Sequence, residues 1–126
     1  MSYNVYLTNR EGETIYFEDP HMFTGGTYAE NGTREAWLNV TYNYTPIING
    51  VFKEVGLGDL GLRGLNGKTV AETIDKMITA MYLLNPETVS FDYWEPTEGN
   101  VGLMLAQLNS LALKITDTQN TFWKVD

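Results

Sequence analysis

Cysteine is absent from the chain, which removes disulfides, thiolate nucleophiles and cysteine-based zinc sites together. Histidine occurs once, at His21, so neither a multi-histidine metal site nor a paired-histidine mechanism can be assembled, and a loop position is expected for it. Basic residues are scarce: eight Lys plus Arg stand against sixteen Asp plus Glu, a net charge of −8. A nucleic-acid binder needs a basic face to release counterions from phosphates, and this balance leaves little for one. Long nucleic acid is therefore not an expected partner. A small anionic ligand held by one or two placed cations is compatible with the composition. So is mimicry of a polyanion by an acidic surface. No apolar run approaches the roughly 20 residues that span a bilayer, and MSYNVYLTN has neither the basic nor the apolar part of a signal peptide. No membrane partner is expected. The Asn-x-Thr triplets at Asn31, Asn39 and Asn43 carry no meaning without secretion.

What is present suits one domain spanning residues 1–126, since 43% hydrophobic and 13% aromatic residues over this length can bury a core without staples. The stretch Glu35 to Tyr44, EAWLNVTYNY, has the clearest pattern. Ala36, Leu38, Val40, Tyr42 and Tyr44 alternate with Trp37, Asn39, Thr41 and Asn43, the period of a half-buried strand. It is expected to be the central strand, with helices on its apolar face. Before it, Tyr3 to Thr8 and Thr14 to Phe17 read as a hairpin around the turn at Gly12, ended by Asp19-Pro20. His21 to Arg34 reads as a glycine-containing loop, with a weak strand pair as the alternative.

Three helices follow. Thr45-Pro46 marks the start of the first, and Ile47, Ile48, Val51, Phe52 and Val55 recur at helical spacing until Gly56 or Gly58. Gly50 weakens it by about 1 kcal/mol relative to alanine. After a loop with five glycines in twelve residues, Thr69-x-x-Glu72 forms a capping box. Val70, Ile74, Met77, Ile78 and Met81 form the buried stripe of this second helix, which Asn85-Pro86 ends. The third runs from near Glu98 to about Ile115 and is apolar round much of its circumference, so it is either central or faces a partner subunit. The tail carries Phe122 and Trp123, which can dock the terminus. The expected fold class is α+β: a small antiparallel sheet of about three or more strands, covered on one face by three helices.

The candidate chemistry is sparse. Gly61 to Thr69, GLRGLNGKT, has the wrong glycine spacing for a phosphate-binding P-loop, and no strand precedes it. A helix start flanked by Arg63, Lys68 and the Thr69 hydroxyl can still hold a phosphate; otherwise Thr69 only caps and both cations are solvated. Trp37 and Trp94 are candidates to stack a base, and the Asn39 and Asn43 amides to read its edges. Tyr42 and Tyr44 are better placed for core packing. Asp92, Glu95 and Glu98 match no EF-hand spacing, and acids before a helix ordinarily serve its positive end. No nucleophile elbow or glycosidase-like pair is present, so no catalytic residue, metal or cofactor is assigned.

The segments Gly25 to Ala29 (GGTYA), Asn31 to Thr45 (NGTREAWLNVTYNYT), Leu62 to Ile74 (LRGLNGKTVAETI) and Tyr93 to Asn100 (YWEPTEGN) resemble an uncharacterised family of small bacteriophage and prophage proteins. The resemblance implies a phage origin and a location in the host cytoplasm, and it implies no reaction. Small phage proteins commonly modulate host defence or host enzymes. Three functions are compatible with these readings. The preferred one is a sponge-like protein, a homo-oligomer that sequesters a small nucleotide-derived signal of host immunity without turnover. The second is an acidic protein–protein inhibitor of a host defence or nucleic-acid enzyme. The third, an enzyme acting on such a nucleotide, lacks a visible acid–base constellation.

Overall fold

The computed structural model describes residues 1–27 and 32–126. Residues 28–31, which include part of the expected loop and the Asn31 triplet, lie outside the described residues. Among the described residues, five strands and three α-helices give an α+β fold: β1 Ser2–Thr8, β2 Tyr16–His21, β3 Thr33–Glu35, β4 Trp37–Thr41, α1 Thr45–Glu54, α2 Val70–Leu83, α3 Glu98–Leu113 and β5 Phe122–Val125. The main sheet is antiparallel in the order β4-β1-β5, and β2 pairs with β3 in a second, two-stranded sheet. Ile15 joins the two sheets, donating its N–H to Leu7 O and accepting from Ala36 N–H.

This arrangement differs from the expected strands in four places. The central strand is β1, with β4 to one side of it and β5 to the other. Alternation in β4 stops at Thr41, whose hydroxyl accepts from Asn43 N–H and starts a 3-10 turn over Tyr42–Tyr44. The pattern continues past Thr41 in the sequence because Tyr44 is buried from the turn as well. Pro20 does not end β2, which reaches His21 and pairs with β3 across a register shift; the expected loop thus gives its two ends, His21 and Thr33–Arg34, to a short strand pair, while residues 22–27 and 32 form no strand. The tail is a strand: Trp123 is buried, and β5 lies along β1 with Val5 opposite Val125.

One core joins the sheet to the helices. Val5, Leu7, Leu38, Val40, Trp123 and Val125 point inward against Ile48, Phe52, Leu62, Leu65, Met77, Leu105 and Leu108. The helix boundaries follow local chemistry. Pro46 sits in the first turn of α1, and Gly56 beyond its end takes φ +84°. The Thr69–Glu72 box is present in both directions. Thr97 caps α3 through Asn100 N–H.

Both long edges of the main sheet are covered, which removes the unpaired groups that recruit other strands. On the β4 edge, Gly25 donates to Asn39 O and accepts from Thr41 N–H. A Cβ on Gly25 would lie 2.6 Å from Asn39 O, and Gly26 takes φ +80° against the Tyr44 ring. The Gly-Gly pair is thus required by close backbone approach. On the β5 edge, Gly67 donates to Trp123 O and Trp123 donates to Lys68 O.

Candidate functional site

The start of α2 is closed by the chain itself. Val70 N–H donates to Thr121 O, Ala71 N–H to Thr118 O, Glu72 N–H to the Thr69 hydroxyl, and Thr69 N–H to the Glu72 carboxylate. These four amides, the groups that would cradle a phosphate, all have acceptors within the protein. The Arg63 guanidinium lies 5.5 Å from the centre of the Tyr3 ring, whose hydroxyl is hydrogen-bonded to Thr45 at the start of α1. Lys68 contributes its backbone to the β5 edge.

The other candidates fall into two further places. On the sheet face opposite the helices, Trp37 Nε1 donates to Asn4 Oδ1 at 3.0 Å, and Asn39 Nδ2 reaches the same oxygen, the Ser2 hydroxyl and Tyr3 O. At the end of β4, Asn43 Nδ2 donates to Trp94 O at 3.1 Å, and the Tyr44 hydroxyl donates to Tyr93 O. The structure therefore brings Trp37 together with Asn39, and Asn43 together with Trp94. Arg63 is directed to β1, while Thr69 is held beside β5. The seven residues do not converge on one pocket.

The connection between α2 and α3 is built by Asn100. This side chain is buried, accepts from Ser90 N–H and donates to Asp92 O and Glu95 O. Thr88 Oγ1 accepts from Gly99 N–H, and a Cβ at Gly99 would run into the backbone of Val89. With its backbone fixed in this way, the connection turns its aromatic side chains outward. Phe91 is fully exposed; Tyr93 and Trp94 are about half exposed and lie against each other at a tilt of 45°, with ring centres 4.9 Å apart. The carboxylates go to uncharged partners: Asp92 to Trp94 N–H, Glu95 to the Ser90 hydroxyl, Glu98 to Asn85 N–H. Among the described residues, no group of three or more His, Cys, Asp or Glu is placed to hold a metal ion.

Beside this connection lies a cleft of about 330 Å³ between the C-terminal end of α2 and the N-terminal half of α3. Met81, Tyr82, Val89, Gly102, Leu103 and Ala106 make most of its wall, and Glu98 is its one carboxylate. Tyr82 is 78% exposed and Leu103 is 52% exposed, so large apolar groups meet solvent here. The apolar breadth of α3 is legible in the sequence; the position of this cleft is not. One signal points to it: from Met77 to Leu113 the chain contains no Lys, Arg or His. The nearest cations in sequence are engaged elsewhere, Lys76 with Gly56 O and Lys114 over the Phe17 and Phe23 rings.

His21 is structural. Its Nδ1 accepts from Phe23 N–H, so Nε2 carries the proton and donates to Glu35 O at 2.6 Å, between the Phe17 and Phe23 rings. This is a buried strand end in place of the expected loop position. Among the described residues no helix is long and apolar enough to cross a membrane. In comparisons with known proteins, no family model, no curated protein and no solved structure matches the chain.

Proposed function

We propose that the protein acts without turnover, by holding a partner protein on the face formed by the end of α2, the aromatic connection and α3. The observation that carries this reading is the cleft with its exposed rim: Tyr82, Val89 and Leu103 present apolar surface along it, and Leu103 also borders Tyr93 of the connection, whose backbone is pinned by Asn100. Contiguous exposed apolar and aromatic surface on a folded chain marks interaction sites, and aromatic residues supply most interface hot spots. The net charge of −8 adds the acidic character of an inhibitor that competes for a basic surface of its target. The phage resemblance makes a host enzyme the expected target.

The test is capture from bacterial lysate by the wild type and by Leu103→Glu. Leu103 is 52% exposed, so the substitution leaves the core intact. A partner retained by the wild type and lost by the variant supports the reading. Equal capture by both overturns it.

A second reading, sequestration of a small nucleotide-like signal by a homo-oligomer, is favoured by one observation: the Asn43 amide bonds the Trp94 backbone beside the paired, tilted Tyr93 and Trp94 rings. A thermal-shift screen against cyclic di- and trinucleotides distinguishes it. A ligand at about 100 times its dissociation constant adds roughly 2.7 kcal/mol, several degrees for a domain of this size.

A further inference from the structure

Two cations, Arg10 and Lys124, do share a groove in this fold. A recess of about 320 Å³ lies along β5, between the turn that follows β1 and the segment that precedes α2. Arg10 and Gly12 come from the turn, Asn66 and Gly67 from that segment, and Phe122 and Lys124 from the strand. The groove has no residue in common with the α2–α3 cleft, and among the described residues that line it none is Asp or Glu. Acids outnumber bases sixteen to eight in this chain, so composition alone favours the opposite sign.

The walls are fixed by hydrogen bonds. Asn9 Oδ1 accepts from Glu11 N–H and Glu13 N–H, which shapes the turn. Arg10 Nε donates to Asn120 Oδ1 at 2.7 Å, and Asn120 Nδ2 is held in turn by the Asp117 carboxylate. On the other wall, the Asn66 amide accepts from Val125 N–H and donates to Val125 O. Asn9 Nδ2 goes to the Glu13 carboxylate, so both side-chain amides of the groove are spent within the protein. Recognition is left to charge. Arg10 bonds through Nε, which leaves its paired Nη groups for a bidentate contact with an oxyanion. The Lys124 ammonium rests over the Tyr6 ring, 5.9 Å from its centre, and supplies a second point charge. Glu11 and Asp117 border Arg10 in an adjoining recess; they temper its charge and do not line the groove.

A carboxylate offers one charge and two oxygens, which the guanidinium fork alone would satisfy. A phosphate monoester carries about two charges and three free oxygens, enough for the fork and the ammonium together. The volume lies at the small end of ligand sites, and Phe122 offers an aromatic surface beside the cations. We infer that this groove binds a phosphate monoester of nucleoside size, its phosphate between Arg10 and Lys124 and its planar ring over Phe122. The net charge of −8 opposes any anion at long range, so binding depends heavily on these two local cations.

The experiment is calorimetric titration of the full chain with adenosine 5′-monophosphate, adenosine and inorganic phosphate. The monophosphate is expected to bind at least tenfold more tightly than either of the others. Arg10→Gln and Lys124→Gln are each expected to weaken it at least tenfold, with the melting temperature of each variant measured in parallel. Lys53→Gln removes a cation at the end of α1, outside the groove, and should leave the affinity unchanged. Lys124 is exposed, so its variant keeps the test decisive even where Arg10→Gln perturbs the turn. No binding of the monophosphate, or equal binding of adenosine, overturns the site. So does an affinity that Lys124→Gln leaves unmoved in a folded protein. Inorganic phosphate binding as tightly as the monophosphate overturns the ring contact and leaves an anion site only. Lysate capture through Leu103 reads a different face and stands or falls separately.

Discussion

At Tyr44 one phenol ties together three separate parts of the chain. Its ring packs against Gly26, its backbone begins α1, and its hydroxyl donates to Tyr93 O in the aromatic connection. Burial, aided by the nearby Asp92 carboxylate, pushes the pKa of this phenol up to about 12. An unfolded tyrosine ionises near 10, so the folded state retains the proton where the unfolded state loses it. The stability associated with this group is whole below about pH 10 and is lost as pH rises through about 12. Urea unfolding followed from pH 8 upward should show stability falling above pH 10. Tyr44→Phe should cost about 1 kcal/mol at neutral pH through the lost hydrogen bond, yet decline less steeply above pH 10. Tyr6, also raised by burial first and then by Asp126 and Glu35, leaves a residual slope in that variant. An unchanged alkaline slope would show that Tyr44 ionises equally in both states.

Among the elements, two glycines with opposite roles separate local from non-local control. Gly50 lies within α1 with nothing within 4 Å of an added Cβ, so its cost is purely conformational. Gly50→Ala should stabilise the protein by about 0.5–1 kcal/mol. Gly25 faces the β4 backbone, where a Cβ would also lie 2.8 Å from Val40 Cγ2. Gly25→Ala should destabilise by about 1–3 kcal/mol, through forced displacement of a sheet edge. Thermal melts of the two variants, expected to move in opposite directions, check both. The difference explains which elements are legible in the sequence. The cost at Gly50 and the Thr69–Glu72 box depend on residues within four positions, and both can be read there. The role of Gly25 depends on Asn39 and Val40, a neighbour no local pattern names. The β4 period misleads at Tyr42 and Tyr44 because a 3-10 turn can also direct a side chain into the core.

For the molecule as a whole, the first and last strands, β1 and β5, pair within the main sheet. Trp123 is 1% exposed, donates its indole N–H to the Thr73 hydroxyl at 2.8 Å, and sits on a strand paired with β1. Trp123→Ala should therefore cost about 3–5 kcal/mol. That is a large share of the 5–15 kcal/mol typical of a domain, and lowers the melting temperature by upwards of about 10 °C. A variant that melts with the wild type would remove β5 from the core. The same long-range assembly explains why the candidate site residues scatter. Cations, amides and indoles stand out by their chemistry, but β5 and the 118–121 turn claim the amides at the start of α2, and Tyr3 claims Arg63.

The amino-acid sequence by itself determined the fold class, the three helices and the capping box of α2, because periodicity and capping act over a few residues. It also determined the acidic balance and the absence of thiol chemistry, which are matters of composition. Tertiary structure alone decided that β1 is the central strand and that the tail closes the sheet. It also decided that the exposed Tyr82, Val89 and Leu103 come together at the α2–α3 cleft. Each of those outcomes joins residues far apart in the chain, where packing and backbone pairing, not local preference, select the neighbour.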